Sequence, residues 1–251
     1  VSVILAVQPH KRATVLYTAD VNVHETSLSL SSPQRIATQD TPLYSQHSAQ
    51  KNWIPFSFKN DLYYVSHLWP FNAAKLTETH VSPRNFPSNK TKVVDNWIVN
   101  MGVEIPWRWG SPHGSTQAVR MVTGEYLCFF HSYTGHRRDR VAQTYVIGAA
   151  TWRAIEIVEN GTKDVRFQMT RITKNPLIPT QKRCKGKCQN FYSDRWLHDL
   201  RLYGFIDYAI FPVSLAVDAE YAYVAFAYQN NHNYVAKVDL SGLLEEMVIV
   251  A

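Results

Sequence analysis

Apolar and polar residues alternate along most of this chain, in short runs closed by turn residues. A period of two is the spacing of a strand that buries one face. Such runs are "VSVILAV", "ATVLYTA", "NWIPFSF", "LYYVSHLW", "TQAVRMV", "YLCFFHSY", "TYVIGAATW", "RAIEIVE", "VRFQMTRI", "YAIFPVSLAV", "YAYVAFAY" and "YVAKVDL". The punctuation between them includes "KND", "VTGE", "ENGTKD" and "VDAE", whose Asn, Asp and Gly residues suit tight turns. Helical spacing is poor everywhere except in a short turn at "DLSGLLEEM". Ser82 to Asp95 and Pro179 to Asp199 read as long loops, the second too long to be inert padding.

Strand pairs joined by tight turns recur, as in "NWIPFSFKNDLYYVSHL", "TQAVRMVTGEYLCFFHS" and "IFPVSLAVDAEYAYVAFAY". A sandwich would show similar strands. Hairpins repeated between longer excursions favour an all-β propeller of about five blades, with inner strands lining a central pocket. Residues 1–251 are expected to form one such domain, its first blade incomplete.

Composition narrows the partners. Fourteen Tyr and seven Trp supply rings with an apolar face and a polar edge, suited to β-structure and to stacking on sugars. A formal charge of +6 favours anions such as phosphate, sugar nucleotides or acidic glycans. Its two clusters, His136 to Arg140 and Lys182 to Cys188, also fit plain solvated loops. No zinc-finger or RNA-binding signature accompanies them, which leaves nucleic acid a poor partner. No run of about 18 uncharged apolar residues exists to span a membrane.

Cys128 alternates inward on an apolar strand and reads as a small core residue. Cys184 and Cys188 suit a local disulfide better than a metal site, since no further pair of ligands follows at metal spacing. The sequons at Asn89 and Asn160 lean towards a secretory or extracellular setting. The opening "VSVILAV", without Met or flanking charge, reads neither as a signal peptide nor as a native start.

The run "GEYLCFFHSY" poses the sharpest question. Apolar residues lead directly into His131, Ser132 and Tyr133. His131 is either a core histidine with a partner or a polar group delivered to a site.

The order of motifs resembles glycoside hydrolase family 130, the β-mannoside phosphorylases and hydrolases, and related mannosyltransferases. "KNWIPF" is similar to the family's Lys-Asp-x-x-x-Phe-Pro strand, and "LYYVSHLWP" to its Tyr-Tyr-x-x-His-Arg strand. "GSTQAVRMVTGEYLCFFHS" resembles the Gly-Pro-Pro-Pro loop, hairpin and Tyr-His-Gly end, and "YVIGAATW" the following Tyr-x-x-Gly-Ala-Ala strand. "MTRITKNPLIP" and "IFPVSLAVDAEYAYVAFAYQNNHNYVAKVDL" look like the outer Pro-Leu turn and the last blade. The resemblance implies a five-bladed propeller that binds a β-mannoside-like sugar, with phosphate as a co-substrate and no other cofactor or metal. It places Lys51, Asn52, His67, His113, Gly114, His131, Tyr133, Tyr228 and His232 at the central pocket. A solvent-facing Lys51 and a core His131 remain the plain alternatives.

Three departures bear on chemistry. Leu68 stands where the family has an arginine, and leucine cannot clamp phosphate. His232 stands at the aspartate position of the last blade. The Glu-Asp-Pro-Arg motif that carries the general acid does not occur in these residues, and its expected place is upstream of Lys51. Inverting transfer at a glycosidic carbon needs a proton donor at the leaving oxygen. Asp207, ahead of "IFP", is the nearest candidate for that catalytic role, although a loop carboxylate near a strand start is usually structural. Two expectations follow: a glycoside phosphorylase, hydrolase or glycosyltransferase, or a non-catalytic glycan-binding propeller or accessory domain. Lys51, His67, His113 and His131 are expected to make the pocket cationic.

Overall fold

The computed structural model describes residues 2–10, 13–31, 34–38, 52–79, 91–100, 104–134, 144–159, 161–177, 210–228 and 232–250. The chain divides into two compact units, Val1–Ser66 with Asn72–Ile98, and His67–Phe71 with Val99–Ala251.

The first unit is built on β1 (Ser2–His10), β2 (Ala13–Val23), β3 (Leu28–Leu30), β4 (Gln34–Thr38), β5 (Ile54–Phe58), β6 (Asp61–Leu68), β7 (Phe71–Thr79) and β8 (Thr91–Asn100), of which His67, Leu68, Phe71, Val99 and Asn100 belong to the second unit. They form one sheet in the order β1-β2-β4-β8-β7-β6-β5, with β3 beside β2 and β4 parallel to β8. "KND" makes the expected hairpin: Phe58 pairs with Asp61, and Lys59 and Asn60 take φ of 49° and 68°. Two left-handed residues in sequence give a turn whose twist matches that of its strands. Alternation on β5 buries Ile54 and Phe56 and exposes Ser57. Phe56 stacks on its register partner Tyr63 at 5.5 Å between ring centroids.

The second unit holds β9 (His113–Gly114), β10 (Val119–Arg120), β11 (Tyr126–Thr134), β12 (Thr144–Glu159) and β13 (Thr162–Thr173). It continues through β14 (Ile210–Val217), β15 (Tyr221–Tyr228), β16 (His232–Asp239), α1 (Leu240–Glu246) and β17 (Met247–Ile249). One sheet runs β10-β11-β12-β13-β17 with β9 beside β11, and a second runs β14-β15-β16. The short helix expected at "DLSGLLEEM" is α1. Asp239 caps it by accepting from the Gly242 amide at 2.6 Å, and Leu240 and Leu243 turn inward. The chain then returns to pair β17 with β13.

Between the two sheets lies one apolar core. Leu127 and Phe129 of β11 and Ile147 and Ala149 of β12 meet Ile210, Leu215, Val224 and Phe226, with Leu240, Leu243 and Met247 closing it. The opposite face of β11 carries Tyr126, Cys128, Phe130 and Ser132, the other half of the alternation. There Trp152 is fully buried, stacked on Tyr126 at 6.1 Å and tilted against Phe71 at 5.7 Å. Cys128 is a free, buried thiol whose pKa burial pushes far up, an inert core residue as expected.

The chain is all-β as expected, with one seven-residue helix among the described residues. Several elements differ from the reading of the sequence. "TYVIGAATW" and "RAIEIVE" are one strand, β12, because a register shift at Thr151/Trp152 carries the pairing with β13 across the junction. "TQAVRMV" pairs only at Val119 and Arg120. The expected loop Ser82 to Asp95 is strand from Thr91 onward, where Thr91, Val93, Val94, Ile98 and Val99 supply β-branched residues. The three sheets hold eight, six and three strands, none closes on itself, and a count of five blades does not emerge from the described strands. Among the described residues no helix is long and apolar enough to cross a membrane. Pro179 to Asp199, both basic clusters, Cys184, Cys188, Asn89 and Asn160 lie outside the described residues.

Candidate functional site

The end of β11 gathers the chemistry. Register sets His113 of β9 opposite His131 of β11, and Tyr145 of β12 opposite Tyr133. Directly opposed residues in an antiparallel pair share a face, so these four side chains stand together beyond Leu127 and Phe129. The sheet therefore passes from an apolar core into a ring cluster along one strand.

His131 answers the question that its strand raises. It is buried at 7% exposure, and its Nδ1 lies 2.5 Å from the Ser115 hydroxyl. Its ring meets Phe211 edge-on at 5.0 Å and stacks on His113 at 5.6 Å. It is a satisfied histidine at the border of the core, and it also forms the back of the cluster.

The front is more open. His113 stacks almost parallel on Tyr133, centroids 5.7 Å apart and planes 6° apart. Tyr133 is 39% exposed. Tyr145 packs against Tyr133 at 5.5 Å and Phe211 at 4.7 Å. The loop before β9 approaches the backbone here: a Cβ on Gly110, whose φ is +89°, would overlap the Tyr133 carbonyl oxygen. Only glycine fits that close approach and that φ together. Behind it, Trp107 Nε1 donates to Ser132 Oγ at 3.1 Å, and Ser132 donates to the Trp109 carbonyl at 2.6 Å. These bonds fix the outer face of β11 while the rings occupy the inner one.

Burial acts on the charge of two of these residues. Burial lowers the His113 pKa below its ordinary value, and the charge of neighbouring His67 lowers it further. Burial also lowers that of His67, although its side chain is solvent-exposed at the strand end. Both shifts favour the uncharged imidazole, while Lys51, the other cation expected there, lies outside the described residues. His113 Nε2 is buried with no hydrogen-bond partner among the described residues. Leu68, at 1% exposure, is a core residue and presents nothing to a ligand. No group of three His, Cys, Asp or Glu among the described residues could hold a metal ion.

The structure thus brings together His113, Gly114, His131 and Tyr133, with His67 close enough to act on His113. Tyr228 and His232 face each other in register across β15 and β16, and Tyr228 also pairs with Ile210. Asn52 is a half-buried residue of the first unit. Lys51 and Asp207 lie outside the described residues. Ser115, Tyr145 and Phe211 were not singled out from the sequence. Tyr145 was detectable, because the "YLCFFHSY" and "TYVIGAATW" hairpin sets it opposite Tyr133. Ser115 and Phe211 meet His131 from separate segments, which alternation cannot show.

The sequence matches no described protein family and no curated protein. Solved structures do match. One is a glycosyl hydrolase from Bacteroides ovatus, 12% identical, with a TM-score of 0.50, covering 96% of this chain and 61% of its own. Another comes from the GH130 family of mannoside phosphorylases, which contains glycoside hydrolases that target β-1,2 mannosidic linkages in Candida mannan. It is 11% identical with a TM-score of 0.50, covering 96% of this chain and 62% of its own. At such identity the likeness is one of fold, and it is the family resemblance anticipated from the motif order. The chain spans about three fifths of the length of either structure.

Proposed function

We propose that this protein is carbohydrate-active and takes a β-mannoside-like sugar against the ring cluster at the end of β11. The observation that supports this most is the exposed Tyr133 stacked on His113 beside Tyr145 and Phe211, on a fold shared with glycoside-acting proteins. A sugar ring presents apolar C–H faces and hydroxyl edges. Tyr133, Tyr145 and Phe211 suit the faces, and neutral imidazoles can both donate to and accept from the hydroxyls. The five-bladed closure, and a single domain over residues 1–251, belong to the same proposal.

Chemistry beyond binding is hydrolysis, phosphorolysis or transfer from a sugar nucleotide. Phosphorolysis is the least favoured of these, because Leu68 is buried where the family has arginine and burial disfavours the charged form of His67 and His113. Losing a positioned general acid costs on the order of 10²–10⁴ in rate. The second reading is a non-catalytic glycan-binding protein, favoured by the burial of Leu68 where the family has an arginine. Isothermal titration with β-1,2-linked mannobiose, paired with assays for free mannose and mannose 1-phosphate, separates the readings. Binding without product supports the glycan-binding reading, and product supports an enzyme. Absence of binding to mannobiose and related β-mannosides overturns both. Glycan attachment at Asn89 and Asn160 is proposed with a secretory setting, and a mobility shift on deglycosylation of the native protein tests it.

A further inference from the structure

We propose that Ser115 is the positioning residue of this cluster, holding His131 in one ring orientation and one neutral tautomer. Through His131 it sets the face that the sugar meets, so the inference rests on the carbohydrate reading. Ser115 is itself firmly placed. On one side Gly114 pairs with Phe130 and His113 with His131. On the other, the Thr116 amide donates to the Phe129 carbonyl at 3.1 Å, and the Phe129 amide donates to Thr116 Oγ1 at 3.0 Å. These anchors fix the Ser115 backbone, and its hydroxyl oxygen stands 2.5 Å from His131 Nδ1.

A neutral imidazole carries one donor and one acceptor nitrogen, and the Ser115 hydroxyl can fill either role opposite Nδ1, which leaves the converse role to Nε2. Three rings take their place from His131: His113 at 5.6 Å, Phe211 at 5.0 Å and Tyr145 at 6.1 Å. Because His113 in turn stacks on exposed Tyr133, a reoriented His131 would be felt at the surface. A serine that only filled space would leave no such trace when replaced by alanine.

The test uses the full chain as wild type, Ser115→Ala and Ser115→Thr. Long-range ¹H–¹⁵N spectra read the His131 tautomer, and mannobiose titration reads affinity. The wild type is expected to show a single tautomer at neutral pH, and Ser115→Ala averaged nitrogen shifts with roughly two- to tenfold weaker mannobiose binding, the range of one hydrogen bond. Ser115→Thr, which keeps the hydroxyl, restores both. An unchanged tautomer in Ser115→Ala overturns the proposal, as does a lost tautomer with undiminished affinity. A wild type that binds no mannobiose yet shows the Ser115-dependent tautomer upholds the positioning of the ring and overturns the carbohydrate reading.

Discussion

Gly148 offers a direct test of how tightly β11 and β12 are packed beside the ring cluster. It pairs in register with Phe130, one residue before His131. A Cβ placed on Gly148 would overlap the edge of the Phe130 ring, nearest Cζ, with Cε2 and Cε1 at 2.8 and 2.9 Å. Phe130 cannot yield cheaply: it is fully buried and meets Trp107 edge-on at 4.9 Å. Two effects oppose each other in Gly148→Ala. Alanine restricts the unfolded chain and is favoured over glycine in a strand by about 0.5–1 kcal/mol. Overpacking a close-packed site costs about 1–3 kcal/mol. The overpacking term wins, so Gly148→Ala is expected to lower stability by roughly 1–2 kcal/mol, a fall in Tm of about 2–8 °C for a chain of this size. Phe130→Leu added to Gly148→Ala should recover part of that loss, although Phe130→Leu alone is destabilising. Urea titration of the native and variant proteins, followed by tryptophan emission, reads both. A Gly148→Ala protein as stable as the wild type would show that the ring does not lie across this glycine.

Ser132→Ala removes the acceptor of the buried Trp107 Nε1 and should cost about 1–3 kcal/mol in the same titration, since a buried donor left without a partner forfeits its solvation. Lys75→Ala breaks a 2.6 Å ion pair with Asp61, but both side chains are about a third exposed or more, so its cost should stay below about 1 kcal/mol. His67 and His113 have pKa values below the ordinary histidine value of about 6.5, so the unfolded chain protonates first as pH falls. Their contribution is therefore complete above pH about 6.5 and is lost on acidification through that value towards the folded pKa values. Stability measured from pH 7 to pH 5 should fall less steeply in His113→Gln than in the wild type.

The strands were legible where alternation met a turn signal. Ile54 to Phe58 alternates cleanly before "KND", and its hairpin with Asp61 to Leu68 forms as read, although Tyr63, Tyr64 and Val65 are buried in succession. Phe71 to Thr79 was not legible, because "FNAAKLTET" holds alanines and lysine that carry little strand preference. Ala73 and Ala74 are nevertheless both buried, so neighbouring strands rather than local preference hold it in the sheet. His131 and Tyr133 could be marked from one strand alone. The shift of His113 could not, since the burial and the His67 neighbour that lower its pKa arise only when separate segments meet. The +6 charge suggested anionic partners, and net charge reports the whole surface and not one cluster.

The central claim, that a sugar docks on the rings at the end of β11, is tested most directly by mapping mannobiose onto the protein. Chemical shifts of the His113 and His131 rings and of the Tyr133 and Tyr145 side chains are followed during titration, in the wild type and in Tyr133→Ala. The account predicts saturable shifts concentrated on those four residues, and markedly weaker binding once the exposed Tyr133 ring is removed. Saturable binding that leaves the four residues unmoved, or that persists at full strength in Tyr133→Ala, would contradict it.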